Sequence, residues 1–120
     1  MTEPFIYKIC SKSEWAAAQE AGIYAGSALD LSDGFIHFST AAQARSTAEK
    51  HFSGQHDLLL IEVVCTKIEG EIKWEAARAG QLFPHLYMPL DLGAVCAVHD
   101  FPLDDQGVHV FPENFGAETR

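Results

Sequence analysis

Asp33-Gly34-Phe35-Ile36-His37-Phe38-Ser39-Thr40 is the stretch from which the fold reads outward in both directions. Asp33-Gly34 is a turn dipeptide, because glycine accepts positive φ and aspartate bonds its own backbone. Phe35, Ile36 and Phe38 have the aromatic and β-branched character of a strand. With a side-chain period of two, His37 and Ser39 share one face, and Ile36 and Phe38 the other. Thr40 then opens a helix, and Gln43 completes a Thr-x-x-Gln capping box. One histidine and two hydroxyls therefore arrive at a strand end beside a helix N-terminus, a setting that suits a polar or anionic ligand. The same residues would also make a half-buried strand with an exposed histidine and an ordinary cap.

Upstream, residues 5–10 read as a strand with Phe5, Tyr7 and Ile9 on one face and Ile6, Lys8 and Cys10 on the other. Ser11 and Glu14 form a capping box before an alanine-rich helix to about Ala21, with Trp15 and Ala18 inward and Gly22 as its stop. Residues 24–32 show no sustained period and read as a loop. Downstream, residues 41–51 form a second helix, with Ala44, Ala48 and Phe52 as its apolar stripe. Residues 57–65 are an apolar strand interrupted only by Glu62, as expected at the centre of a sheet. Residues 71–76 alternate, with Ile72 and Trp74 opposite Lys73 and Glu75. Pro84 and Pro89 argue against a regular central strand over residues 80–90. Residues 94–100 are a last strand, and the chain from Phe101 reads as a tail. The order strand, helix, strand, helix, then mostly strands predicts an α+β fold. A single domain over 5–100 is expected, with residues 101–120 as an extension packed on it or partly mobile.

Eight basic against seventeen acidic residues give a formal charge of −9. A nucleic-acid partner is therefore not expected, because each phosphate contact calls for a lysine or arginine. Cys10, Cys65 and Cys96 are widely spaced in apolar runs and read as reduced core residues, which favours a cytoplasmic setting. No apolar run approaches 18 residues, so no membrane span is expected.

The six histidines, at 37, 51, 56, 85, 99 and 109, show no metal-ligand spacing, so no metal is expected. Nothing resembles a nucleophile elbow or a phosphate-cradling glycine loop. The candidates that remain are Tyr7, His37, Ser39, Thr40, Glu75, His85 and Tyr87. Glu75, at a strand end, could act as a base or bond a hydroxyl-rich ligand. His85 and Tyr87 share a face if their proline-framed segment is extended.

Tyr7-Lys8-Ile9, Trp15, Gly22-Ile23-Tyr24, Asp33 to Thr40, Gln43, Trp74-Glu75 and Phe83-Pro84-His85-Leu86-Tyr87 together resemble the DUF952 family, bacterial domains of unknown function. The resemblance spans about residues 5–100. It implies an ADP-ribosyltransferase-like fold, split sheets around a nicotinamide-dinucleotide cleft, here with two N-terminal helices. On that fold the first strand would offer a histidine or arginine where this chain has Tyr7 or Lys8. Ile36-His37-Phe38-Ser39 is similar to the His-x-His-Leu-Ser of RNA 2′-phosphotransferases, with Phe35 in place of the first histidine. Glu75 would correspond to the transferases' late glutamate. Phosphate-gripping arginines are few, being Arg45, Arg78 and Arg120.

The resemblance leaves two readings. One is an enzyme, active or degenerate, that binds NAD or a related nucleotide. His37 and Glu75 would be its catalytic candidates, and Tyr7, Tyr24, Ser39, Thr40, His85 and Tyr87 its ligand-binding ones. Tyr24 or Tyr87 would stack on a ring, His37 and Ser39 would bond ribose hydroxyls, and Glu75 would polarise a hydroxyl. The other is a small-molecule or protein-binding module on the same fold, without turnover.

Overall fold

Each α-helix begins with the same device, a hydroxyl that accepts from the third residue of the helix while that residue's side chain reaches back. Ser11 with Glu14 caps α1 (Lys12–Ala21), Ser27 with Asp30 caps α2 (Ala28–Asp33), and Thr40 with Gln43 caps α3 (Ala41–His51). Each box satisfies two backbone N–H groups that the helix itself cannot. The computed structural model describes residues 4–113 and 115. Arg120 and the rest of 116–120 lie outside the described residues.

Among the described residues eight strands form three sheets. β1 (Phe5–Ser11) and β8 (Val95–Asp100) flank β4 (Leu58–Val64), both antiparallel to it. β4 is buried along most of its length because both faces are covered. Leu59, Ile61 and Val63 pack with Ile6, Cys10 and Trp15, whereas Leu58 and Leu60 pack with Tyr7, Ile9 and Phe101. In the second sheet β3 (Ile36–His37) and β5 (Ile72–Ala76) flank β6 (Leu82–Leu86). β2 (Ile23–Tyr24) and β7 (Leu90–Asp91) make a short ribbon. The two three-stranded sheets meet at one bridge, where Tyr7 N donates to Ser39 O at 2.8 Å and Ser39 N to Tyr7 O at 2.9 Å. From that bridge the sheets diverge.

The α+β class is observed, with antiparallel sheets and, among the described residues, three α-helices rather than two. α2 occupies the stretch expected to be a loop. It is one and a half turns long, and Leu29 and Leu31 are exposed, so it carries no apolar stripe to betray it. Asp33-Gly34 is accordingly a helix end, with Gly34 at φ 86° as its left-handed cap.

β6 is central in its sheet despite Pro84, contrary to expectation. The carbonyl of Pro84 accepts from Phe38 N at 3.1 Å, so its N side also points towards β3. Pro84 has no N–H to return that bond, and the regular pairing of β3 ends one residue earlier, at His37, so the loss falls at the end of the ladder.

One further expectation, for the cysteines, is corrected. Cys96 is exposed, because β8 is an edge strand with alternating exposure; Cys65 is buried, but in a 3₁₀ turn. Packing also continues past residue 100. Phe101 is 1% exposed, stacks on His109 at 4.7 Å, and meets Phe111 edge-on.

Candidate functional site

The divergence of the sheets opens a cleft of about 540 Å³, with Tyr7, Lys8, Asp30, His37, Ser39 and His85 among its lining. Three strands and a helix deliver these groups. β1 supplies Tyr7 and Lys8, α2 supplies Asp30, β3 and its continuation supply His37 and Ser39, and β6 supplies His85. Ser39 Oγ lies 2.8 Å from Thr47 Oγ1 on α3.

Asp30 is the hub of the first cluster. Its side chain is 1% exposed and meets Lys8 Nζ at 3.0 and 2.8 Å, through Oδ1 and Oδ2. Oδ1 also accepts from His37 N at 3.1 Å and contacts His37 Nδ1 at 2.6 Å; Oδ2 accepts from Ser27 N at 2.9 Å. Burial opposes ionisation of Asp30. The hydrogen bonds from His37, Lys8 and Ser27, with the Lys8 charge, outweigh it and hold the carboxyl well below the usual carboxylate range. An ionised carboxylate only accepts, so His37 Nδ1 carries the proton of the 2.6 Å contact. His37 Nε2 faces Asp33 Oδ2 at 3.0 Å, so both ring nitrogens are engaged. Gly26 fits against this cluster at φ 117°; a Cβ there would lie 2.7 Å from Asp30 Cβ.

The second cluster stands on the other sheet. His85 Nδ1 contacts Glu75 Oε1 at 2.7 Å, and Tyr87 donates its hydroxyl to the same oxygen at 2.9 Å. These bonds, His85's first, lower the Glu75 carboxyl below its ordinary value, and the bond to Glu75 raises the Tyr87 phenol. Phe35 stacks on His85 at 4.1 Å and tilts against His37 at 4.6 Å and Tyr87 at 5.1 Å. The rings of His37 and His85 are 5.5 Å apart.

Of the residues singled out in the sequence, Tyr7, His37, Ser39 and His85 converge on the cleft. Glu75 and Tyr87 join them through His85. Thr40 is a buried helix cap and Tyr24 lies in the core against Trp15, so neither lines the cleft. Burial first, then the neighbouring Cys10 and Asp30, raises the Tyr24 phenol.

Sequence reading missed Lys8, Asp30, Phe35 and Thr47 as site members. Lys8 was the available signal: alternation places it on the face of Ile6 and Cys10, where a lysine requires a buried acid. Among the described residues no group of three or more His, Cys, Asp or Glu side chains is placed to hold a metal ion. No helix among them is long and apolar enough to cross a membrane.

A family model described as a protein of unknown function, DUF952, matches residues 9–98. The chain belongs to this family. The crystal structure of protein CC0527 from Caulobacter crescentus is 48% identical, with a TM-score of 0.85, and the match covers 88% of this chain and 93% of that one. Its solution NMR structure is 47% identical over 92% of this chain and 93% of that one, with a TM-score of 0.79. No curated protein matches the chain in sequence.

Proposed function

We propose that this DUF952 protein binds a small polar ligand in the cleft between its sheets, and that the ligand is a nucleotide such as NAD, held by its nucleoside end. The single observation that carries the reading is the split at the Tyr7–Ser39 bridge, which leaves His37, Ser39 and His85 facing one cleft. The split supports a likeness to the ADP-ribosyltransferase fold. Hydroxyl and imidazole groups on its walls suit the hydroxyls of a ribose. The pyrophosphate fits less well inside. Lys8 is the lysine among the described lining residues, and Asp30 already binds it through both oxygens. Phosphates would therefore project towards solvent. NAD, when bound, supplies a nicotinamide–ribose bond open to cleavage; this chain's part is to hold the ribose and exclude water.

A binding role without turnover is favoured by one observation: His37, the foremost candidate in the sequence, has both nitrogens committed to carboxylates and is not placed to accept a proton. Glu75 likewise works through His85 and Tyr87.

The test is a thermal-shift titration with NAD on wild type and Ser39→Ala. At ten times Kd, linkage gives about 1.4 kcal/mol of stabilisation. That corresponds to roughly 3–7 °C for a domain of this size. A saturable rise in the wild type, weakened in the variant, is expected. No rise at millimolar NAD with both proteins folded rejects the dinucleotide reading.

A further inference from the structure

His37 and His85, two of the histidines lining the cleft, are not equivalent. His37 has a carboxylate at each nitrogen, whereas His85 has one, Glu75, at Nδ1. His85 Nε2 has no hydrogen-bond partner among the described residues, although its side chain is only 8% exposed and lines the cleft. Glu75 Oε1 receives the Tyr87 hydroxyl as well, which keeps that oxygen an acceptor and the His85 proton on Nδ1. Phe35, stacked on the ring at 4.1 Å, stops it from turning. A neutral ring protonated on Nδ1 presents a lone pair at Nε2.

We infer that His85 Nε2 is a fixed hydrogen-bond acceptor in the cleft, held by Glu75, Tyr87 and Phe35 as positioning residues, and that it selects a ligand hydroxyl over a phosphate diester or pyrophosphate link. The inference rests on the cleft being the binding site and names what that cleft reads. A ribose or sugar hydroxyl donates to Nε2, whereas the oxygens of a phosphate diester or pyrophosphate link carry no proton and meet the lone pair as second acceptors. Glu14 and Asp30 in the lining, against Lys8 already bound to Asp30, bias the cleft the same way.

The experiment is two-bond ¹H–¹⁵N correlation NMR of the histidine rings at neutral pH on the intact ¹⁵N-labelled protein. His85 is expected as one tautomer, with Nδ1 protonated and Nε2 showing the shift of a bare, pyridine-like nitrogen. Glu75→Ala should remove that preference while leaving the His99 and His109 signals in place. An imidazolium at His85, or the opposite tautomer, overturns the inference in the wild type, without recourse to a variant. Adenosine and dimethyl phosphate, an anion with no O–H, are then added as separate probes. Adenosine should move the Nε2 signal and dimethyl phosphate should leave it unchanged; a dimethyl phosphate effect at His85 overturns the selection. If adenosine shifts His37 and the Ser39 amide but not His85, the cleft reading stands and the acceptor role falls. If it shifts none of them, both fall.

Discussion

Asp30→Asn tests whether the site is held by charge. The substitution keeps the shape of the side chain but leaves Lys8, 6% exposed, as an unpaired cation between the sheets. It also replaces an acceptor-only group that satisfies Lys8, the His37 ring and two backbone N–H groups. Removing one partner of a buried ion pair costs about 3–5 kcal/mol. At about 4 °C per kcal/mol the melting temperature should fall by roughly 12–20 °C. Lys8→Met alone should cost less, because Asp30 keeps its bonds to His37 and Ser27. The double variant should recover about 1–3 kcal/mol of the summed losses, the usual coupling of residues in contact. The folded value of Asp30 is depressed, so its contribution is complete above the unfolded value of about 4 and is lost as pH falls from there through the folded value. The gap between wild type and Asp30→Asn should therefore be constant from pH 5 to 7 and close in strong acid. The measurement is urea denaturation of all four proteins across that range. An Asp30→Asn cost under about 1 kcal/mol, or no coupling to Lys8, would refute the reasoning.

Three other outcomes follow from the same structure. Gly26→Ala forces a Cβ to 2.7 Å from Asp30 Cβ at a positive φ, so it should destabilise by about 1–3 kcal/mol in thermal melts. Phe101→Ala should cost about 3–5 kcal/mol in urea titration, and a chain ending at Asp100 should fail to fold cooperatively, because Phe101 completes the cluster of Ile9, Leu58 and Leu60. Among the thiols, Cys96 alone should react quickly with a disulfide reagent and Cys96→Ser should remove the fast phase, since burial pushes the Cys10 thiol up to about 12.

Most of the secondary structure was legible where local chemistry decides it. The caps at Ser11 and Thr40, the stop at Gly22 and the apolar run of β4 each carry their instruction within a few residues. α2 was not, because a six-residue helix is stabilised by what Asp30 meets across the cleft, 22 residues from its partner Lys8. Pro84 misled for the same reason: whether a missing N–H matters depends on the length of the neighbouring strand, which Phe83-Pro84-His85 does not encode. Within the site, His37, Ser39, His85, Glu75 and Tyr87 were legible as a set. Their partition was not. Which histidine is saturated with carboxylates is a property of convergence, and Asp30, between two exposed leucines, gives no local hint of its burial.

The capping box of α2 has a consequence for how the chain assembles. Asp30 is both the third residue of that box and the partner of Lys8 on β1. A helix this short does not persist alone in water. Its cap carboxylate enters the interior together with the Lys8 ammonium, and neither charge is accommodated there without the other. The wall of the cleft therefore closes in one event with the docking of β1. Asp30→Asn and Lys8→Met should therefore divide their effects between the folding and unfolding rates in the same proportion. The cleft wall and β1 are thus one unit, formed together and lost together.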